Sequence, residues 1–223
     1  MSIWVQQQVA RPIHVRVPTV TRYMAQKHVD AFFEDGSLML SSFKKFREHP
    51  DETKRDVDEG QTHIEETNPN AKGTMLMGAP PCFILCATSN QFDPEGVSWD
   101  TEAGFRILDP MNFAAVLAWH VPGFEAAIQG ACDYTDGPDV DIQSDDEFVS
   151  PDKHPGGPEA WFEQRKQLTH QRAVDGLFSK ARDFLQEREY RFIWFGGERE
   201  DALFVKCPEA RQFCRPLEQP PSA

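Results

Sequence analysis

Apolar positions along the chain come in short runs of two periods, which read as many strands and a few helices. Ile13-His-Val-Arg-Val-Pro-Thr-Val20 alternates with period two and continues through Thr21-Arg22-Tyr23-Met24. Pro18 offers no N–H to a ladder, so this extended segment belongs at an edge or contains a break. From Gln26 to Asp35 the spacing turns helical, with Val29, Phe32 and Phe33 inward and Gly36 placed to end the helix. Ser37 to Ser42 reads as a short strand, and Thr74 to Met77, Cys82 to Thr88, Gly104 to Leu108 and Gly130 to Tyr134 are strand-like. Phe113 to His120 fits either period.

Polar stretches separate these runs. Phe43 to Gly73 predicts a long, partly helical connection over the surface, and Asp136 to Pro158 a loop rich in Asp, Pro and Gly. Helical spacing is expected from Pro158 to about Gln186, running directly into Glu187 to Phe195, the clearest strand of the chain. Gly196-Gly197 then reads as a turn, with Asp201 to Lys206 folding back as its hairpin partner. The pattern predicts an α+β fold: a mixed or antiparallel sheet core with flanking helices. Residues 1–215 would form one domain with a polar insertion at about 43–73, and 216–223 a flexible tail.

Composition narrows the choice of partners. With 39% hydrophobic and 11% aromatic residues, 223 residues can bury a sizeable core. A net charge of −13 repels phosphate backbones and anionic lipid at long range, so an anionic ligand needs its own local positive charge. The expected setting is the cytoplasm: no run reaches the length of a membrane helix, and the N-terminus lacks a signal peptide's regions. Five irregularly spaced cysteines do not form a disulfide framework. Cys82 and Cys86 share a strand face and read as core thiols, and no metal set emerges from the spacing of His and Cys. No Gly-x-Ser-x-Gly elbow or Gly-rich phosphate loop is present.

Candidate chemistry lies in the order Arg22, Ser41 and Ser42, then Glu187 and Glu189. Three neighbouring strands carrying Arg, Ser and Glu-x-Glu suit cleavage of a nicotinamide–ribose bond, which breaks through an oxocarbenium-like state. Glutamate stabilises the positive charge that develops, and the arginine fork grips a pyrophosphate or ribose. Serine orients by hydrogen bonds, and Tyr23 can stack on nicotinamide. Strand alternation puts Glu187, Glu189 and Arg191 on one face. The same charged run equally suits the solvated face of a strand held by cross-strand ion pairs.

The pieces Arg22-Tyr23, Leu38 to Ser42, Asp51 to Gly60, Cys82 to Ser89, Trp99 to Arg106 and Phe184 to Arg191 together resemble a bacterial family. It is catalogued as domain of unknown function 2971, and the resemblance spans roughly residues 20 to 195. The strand order is also similar to that of ADP-ribosyltransferases with an Arg-Ser-Glu signature, and it implies their split sheet. On that resemblance Glu189 is catalytic with Glu187 as its partner, Arg22 grips NAD, and Ser41 or Ser42 is the second-strand serine. NAD would be the substrate of a mono-ADP-ribosyltransferase acting on a protein or nucleic acid, as a toxin or phage-defence effector with an antitoxin. The second strand departs from the pattern, reading Leu-Ser-Ser-Phe rather than Ser-Thr-Ser. Two other classes remain open: a non-catalytic acidic module for a basic protein partner, and a metal-dependent nuclease on the Asp51 to Glu66 stretch.

Overall fold

The structure is a computed structural model; it describes residues 18–50, 55, 57, 59–68, 71–89, 103–135, 139–142, 151–161, 163, 174, 176–197 and 202–217. Its centre is strand β5 (Cys82–Thr88), an unbroken apolar run buried on both faces. One edge of β5 pairs along its length with β11 (Glu189–Phe195), which in turn pairs with β7 (Ala126–Ala131).

The opposite edge of β5 is shared, and the sheet forks there. Ile84 faces Ser41 of β2 (Ser37–Ser41), whose outer edge carries β12 (Ala202–Lys206). Farther along, Thr88 faces Thr21 of β1 (Val20–Tyr23), which carries β6 (Gly104–Ile107) and then β13 (Cys214–Pro216). Every pairing in this eight-stranded sheet is antiparallel, in keeping with the expected α+β class.

Two smaller sheets accompany it. In one, β3 (Gln61–Asn68) lies between β4 (Ala71–Gly78), antiparallel, and β9 (Asp139–Ile142), parallel. In the other, β8 (Asp133–Thr135) runs parallel to β10 (Ser179–Ala181).

Helices cover one face of the large sheet. α1 (Gln26–Asp35) bridges the fork between β1 and β2, with Phe32 stacked on Phe105 at 4.5 Å between ring centroids. α3 (Pro110–Ala118) is capped by the Asp109 carboxylate, which accepts from the Asn112 amide at 3.1 Å, and Pro110 occupies its first turn. It lays Phe113 edge-on against Phe192 and accepts the Trp194 indole N–H at the Ala114 carbonyl. The main core, with Phe83, Leu85, Phe192 and Trp194, lies on this face. A second cluster of Phe43, Cys82, Ile84, Cys86, Leu177 and Ile193 forms on the other. There α2 (Phe43–Arg47) packs, its first turn capped by the Ser42 side chain.

Several expected elements differ. The 43–73 connection is largely a hairpin, because β3 and β4 pair from Gln61↔Gly78 to Asn68↔Ala71; period-two patterning was hidden by its many polar residues. β12 joins β2 rather than folding back on β11. Both edges of β11 are already taken, by β5 and β7, so a hairpin partner has no ladder to join. The expected helix up to Gln186 gives way from Leu177 to a turn, then β10, then a 3-10 helix Arg182–Glu187. β9 interrupts the expected 136–158 loop, and Pro216 and Leu217 are still bonded to β6. Ile13 to Val17, Trp99 to Glu102 and 218–223 lie outside the described residues.

Gly36 ends α1 at φ +80°, its N–H returning to Phe32 O at 2.9 Å. A Cβ there would lie 2.3 Å from the backbone of Cys207 and Pro208. Gly36→Ala therefore adds left-handed strain to a backbone clash, and should cost at least about 2 kcal/mol in chemical denaturation. A change under about 0.5 kcal/mol would mean that this corner is not packed as described.

Candidate functional site

Charge collects where β11 begins. Glu189 and Arg191 stand on the same face of the strand, facing Thr88 and Cys86 of β5. They are 3% and 0% exposed, so the charged run is not a solvated strand face. Arg191 Nε donates to Glu189 Oε1 at 2.8 Å, Nη1 donates to the Leu177 carbonyl at 2.6 Å, and Nη2 is ion-paired with Glu59. Its guanidinium also lies 5.8 Å from the Phe43 ring centroid. Lys180 Nζ donates to Glu189 Oε2 and to Glu187 Oε2, each at 2.6 Å, above the Phe184 ring. The Glu189 amide is taken up by the Tyr134 hydroxyl at 2.7 Å.

These contacts pull the two glutamates apart electrostatically. Burial alone would raise Glu189, but Arg191 and Lys180 outweigh it and hold the carboxyl far below its ordinary 4.5. Glu187 goes the other way: burial raises it more than Lys180 lowers it. Burial would depress Lys180, yet Glu189, Glu59 and Glu187 keep its ammonium above its usual range. Burial pushes Tyr134 up to about 12 and raises the Cys86 and Cys132 thiols, with Glu189 adding to the rise of both thiols.

Glu187 is not on the strand. It ends the 3-10 helix, and Arg188 (φ 42°) turns the chain before β11 starts, which breaks the alternation expected from Glu187 onward. Its side chain keeps 25% exposure and forms the accessible lip of the cluster.

Arg22 reaches the same end of the sheet from β1. Thr21, Thr88 and Glu189 form one row across three strands, so Thr21 and Glu189 are about 10 Å apart at the usual strand spacing. Cys86 lies midway between Ile84, paired with β2, and Thr88, paired with β1, so the fork leaves its carbonyl without a strand partner. Arg22 Nη1 fills that gap at 2.6 Å. Its Nε is shut off from solvent with no acceptor, and no carboxylate among the described residues pairs with the guanidinium. Burial lowers its pKa, with Cys86 and Glu189 pulling the other way. Tyr23 is buried beside it, and burial raises its hydroxyl pKa.

The serines lie elsewhere. Ser41 is paired at Ile84, about 13 Å down β5 from Thr88 at the usual strand rise, and Ser42 caps α2. The structure thus joins Glu187 and Glu189 through Lys180, places Arg22 at the same end of the sheet, and sets Ser41 and Ser42 apart. Lys180, Glu59 and Tyr134 were missed by sequence reasoning, since each comes from a separate segment. Only the acidic character of Asp51 to Glu66 pointed towards Glu59; most of that stretch's side chains lie outside the described residues.

One cavity of about 690 Å³ opens beside Met111, Trp119 and Phe124, and another of about 330 Å³ beside Ser42, Arg47 and Pro81. Neither is lined by Arg22 or Glu189. No helix of the described residues is long and apolar enough to cross a membrane. No family signature, characterised protein or solved structure matches the chain.

Removing one partner of a buried ion pair strands the other. Arg191→Met should therefore destabilise by about 3–5 kcal/mol, and Glu189→Gln by a similar amount at neutral pH. Because the folded-state pKa of Glu189 lies below its ordinary value, its stabilisation is present above about pH 4.5 and fades as pH falls towards that lowered value. The gap between wild type and Glu189→Gln in urea midpoint should accordingly narrow on acidification. Glu187, shifted upward, should give the opposite: Glu187→Gln costs little or stabilises at pH 7. Equal losses for both substitutions would contradict this division of roles.

Proposed function

We propose that the protein is an NAD-dependent mono-ADP-ribosyltransferase with a macromolecular acceptor. The observation that carries this reading is Arg22: a desolvated guanidinium with an unused donor and no ion-pair partner among the described residues, at the same end of the sheet as Glu189. A cation left uncompensated in that way favours an anion, and a pyrophosphate suits the planar fork. The acidic surface makes such a local positive site the more necessary for a nucleotide.

In this reading Glu189, fixed by Arg191 and Lys180, supplies a steady negative charge beneath the ribose as positive charge develops. The bond from ribose to the nicotinamide nitrogen breaks, and nicotinamide leaves with the electron pair. An acceptor lone pair closes on the ribose carbon, and its proton passes to Glu187, the accessible carboxylate whose raised pKa suits a base. Membership of the domain of unknown function 2971 family belongs to the same proposal and rests on the residues alone.

A second reading is favoured by one observation: both Glu189 oxygens are already occupied, by Arg191 and by Lys180. On this reading the cluster is a closed structural hub and the protein is an acidic, non-catalytic module for a basic partner.

Purified protein incubated with NAD separates the two. The transferase reading expects nicotinamide release, with Glu187→Gln and Arg22→Ala each slower by about 100-fold or more while circular dichroism stays that of wild type. No NAD consumption by folded wild type, with or without cell extract as acceptor, would reject it. Activity unchanged in both variants would reject these roles.

A further inference from the structure

On the face of the large sheet opposite Glu189 and Arg191, three metal-ligating side chains meet at a corner that the reading above does not use. His120 follows the C-terminal end of α3, Cys207 follows β12, and Glu209 lies in the 3-10 helix Pro208–Phe213. One ligand atom from each, an imidazole nitrogen, Sγ and a carboxylate oxygen, lies within 4.8 Å of the other two. The Cys207 thiol already points at Glu209, with Sγ 3.8 Å from Oε2.

We propose that His120, Cys207 and Glu209 form a binding site for a divalent cation of the zinc class. A tetrahedral ion with bonds of about 2.0–2.3 Å places its donors roughly 3.3–3.8 Å apart. The Cys207–Glu209 separation already satisfies that spacing. His120 is exposed and its imidazole makes no hydrogen bond or ion pair among the described residues, so rotation of its side chain can close the remaining distance.

The donor chemistry narrows the ion. A thiolate with an imidazole selects zinc-like metals over Mg²⁺ or Ca²⁺, which prefer oxygen. Three protein ligands leave the fourth position to water, the open arrangement of zinc sites that act on substrates. The backbone around Cys207 is preorganised for this. Its N–H donates to Gly36 O at 2.9 Å, its carbonyl accepts from Ala210 at 3.1 Å, and the side chain is fully buried behind the two exposed ligands.

Binding joins the end of α3 to the β12 corner, which also touches the end of α1. It requires the Cys207 thiolate, so one thiol proton passes to solvent for each ion bound. Affinity should therefore rise with pH.

Chelator-treated full-length protein titrated with Co²⁺ provides the test. Expected are one equivalent bound, a thiolate-to-cobalt charge-transfer band in the near ultraviolet, and its displacement by Zn²⁺. His120→Ala and Glu209→Gln, both at exposed positions, should each weaken binding about tenfold or more, since even outer-shell losses cost that much. These two carry the test because Cys207→Ser alters the core. Absence of the band in wild type, or a band undiminished in both variants, would overturn the site. Neither result bears on NAD turnover.

Discussion

A guanidinium sealed in a protein interior must be neutralised and hydrogen-bonded on the spot, and Arg191 imposes that condition on the architecture around it. It lies in the middle of the sheet with no exposure, so its partners must travel to it. Glu189 comes from its own strand, Leu177 from the turn before β10, and Glu59 from the approach to β3. Lys180 then ties Glu189 to the lip at Glu187. One charge on β11 thereby fixes where three other segments cross the second face of the sheet. Apolar side chains could cover that face at less desolvation cost, but they would not dictate which segments meet there.

The fork of the sheet creates a second, smaller condition. When β5 passes from β2 to β1 as its neighbour, the carbonyl of Cys86 falls between them. Buried carbonyls are nearly always paired, and Arg22 supplies the donor. Unlike Arg191, it pairs with no carboxylate among the described residues, and its Nε is left over. Two arginines at one end of one sheet therefore differ in kind: one is charge-compensated by Glu189 and Glu59, the other is paired with no carboxylate among the described residues. That contrast is the physical basis for placing an anionic ligand at Arg22.

Local signals in the chain were legible where they were local in cause. The helix Gln26–Asp35 with its Gly36 stop, and β5 over Cys82–Thr88, emerge from periodicity and capping alone. The core placement of Cys82 and Cys86 emerges from the same alternation. What escaped depends on long-range pairing. The partner of β12 is decided by which edges β11 has free, and the β3–β4 hairpin is carried by ladder bonds through polar residues. At the candidate site, Arg22, Glu187 and Glu189 stood out because they flank strand ends. Lys180 and Glu59 did not, since nothing near them in sequence marks them as buried. His120, Cys207 and Glu209 were invisible as a set, because metal motifs are read from short spacings and this one joins two segments far apart in the chain.

The contrast between the two arginines is the central claim, and proton exchange at each Nε–H, followed by nitrogen-15 NMR, tests it most directly. In ligand-free protein the Arg191 Nε–H, donated to Glu189, should exchange slowly and be indifferent to added ADP-ribose. The Arg22 Nε–H, which has no acceptor, should shift and gain protection as ADP-ribose is titrated in. An Arg22 signal unmoved at saturating ADP-ribose, or an Arg191 signal that exchanges freely in the folded protein, would contradict the account.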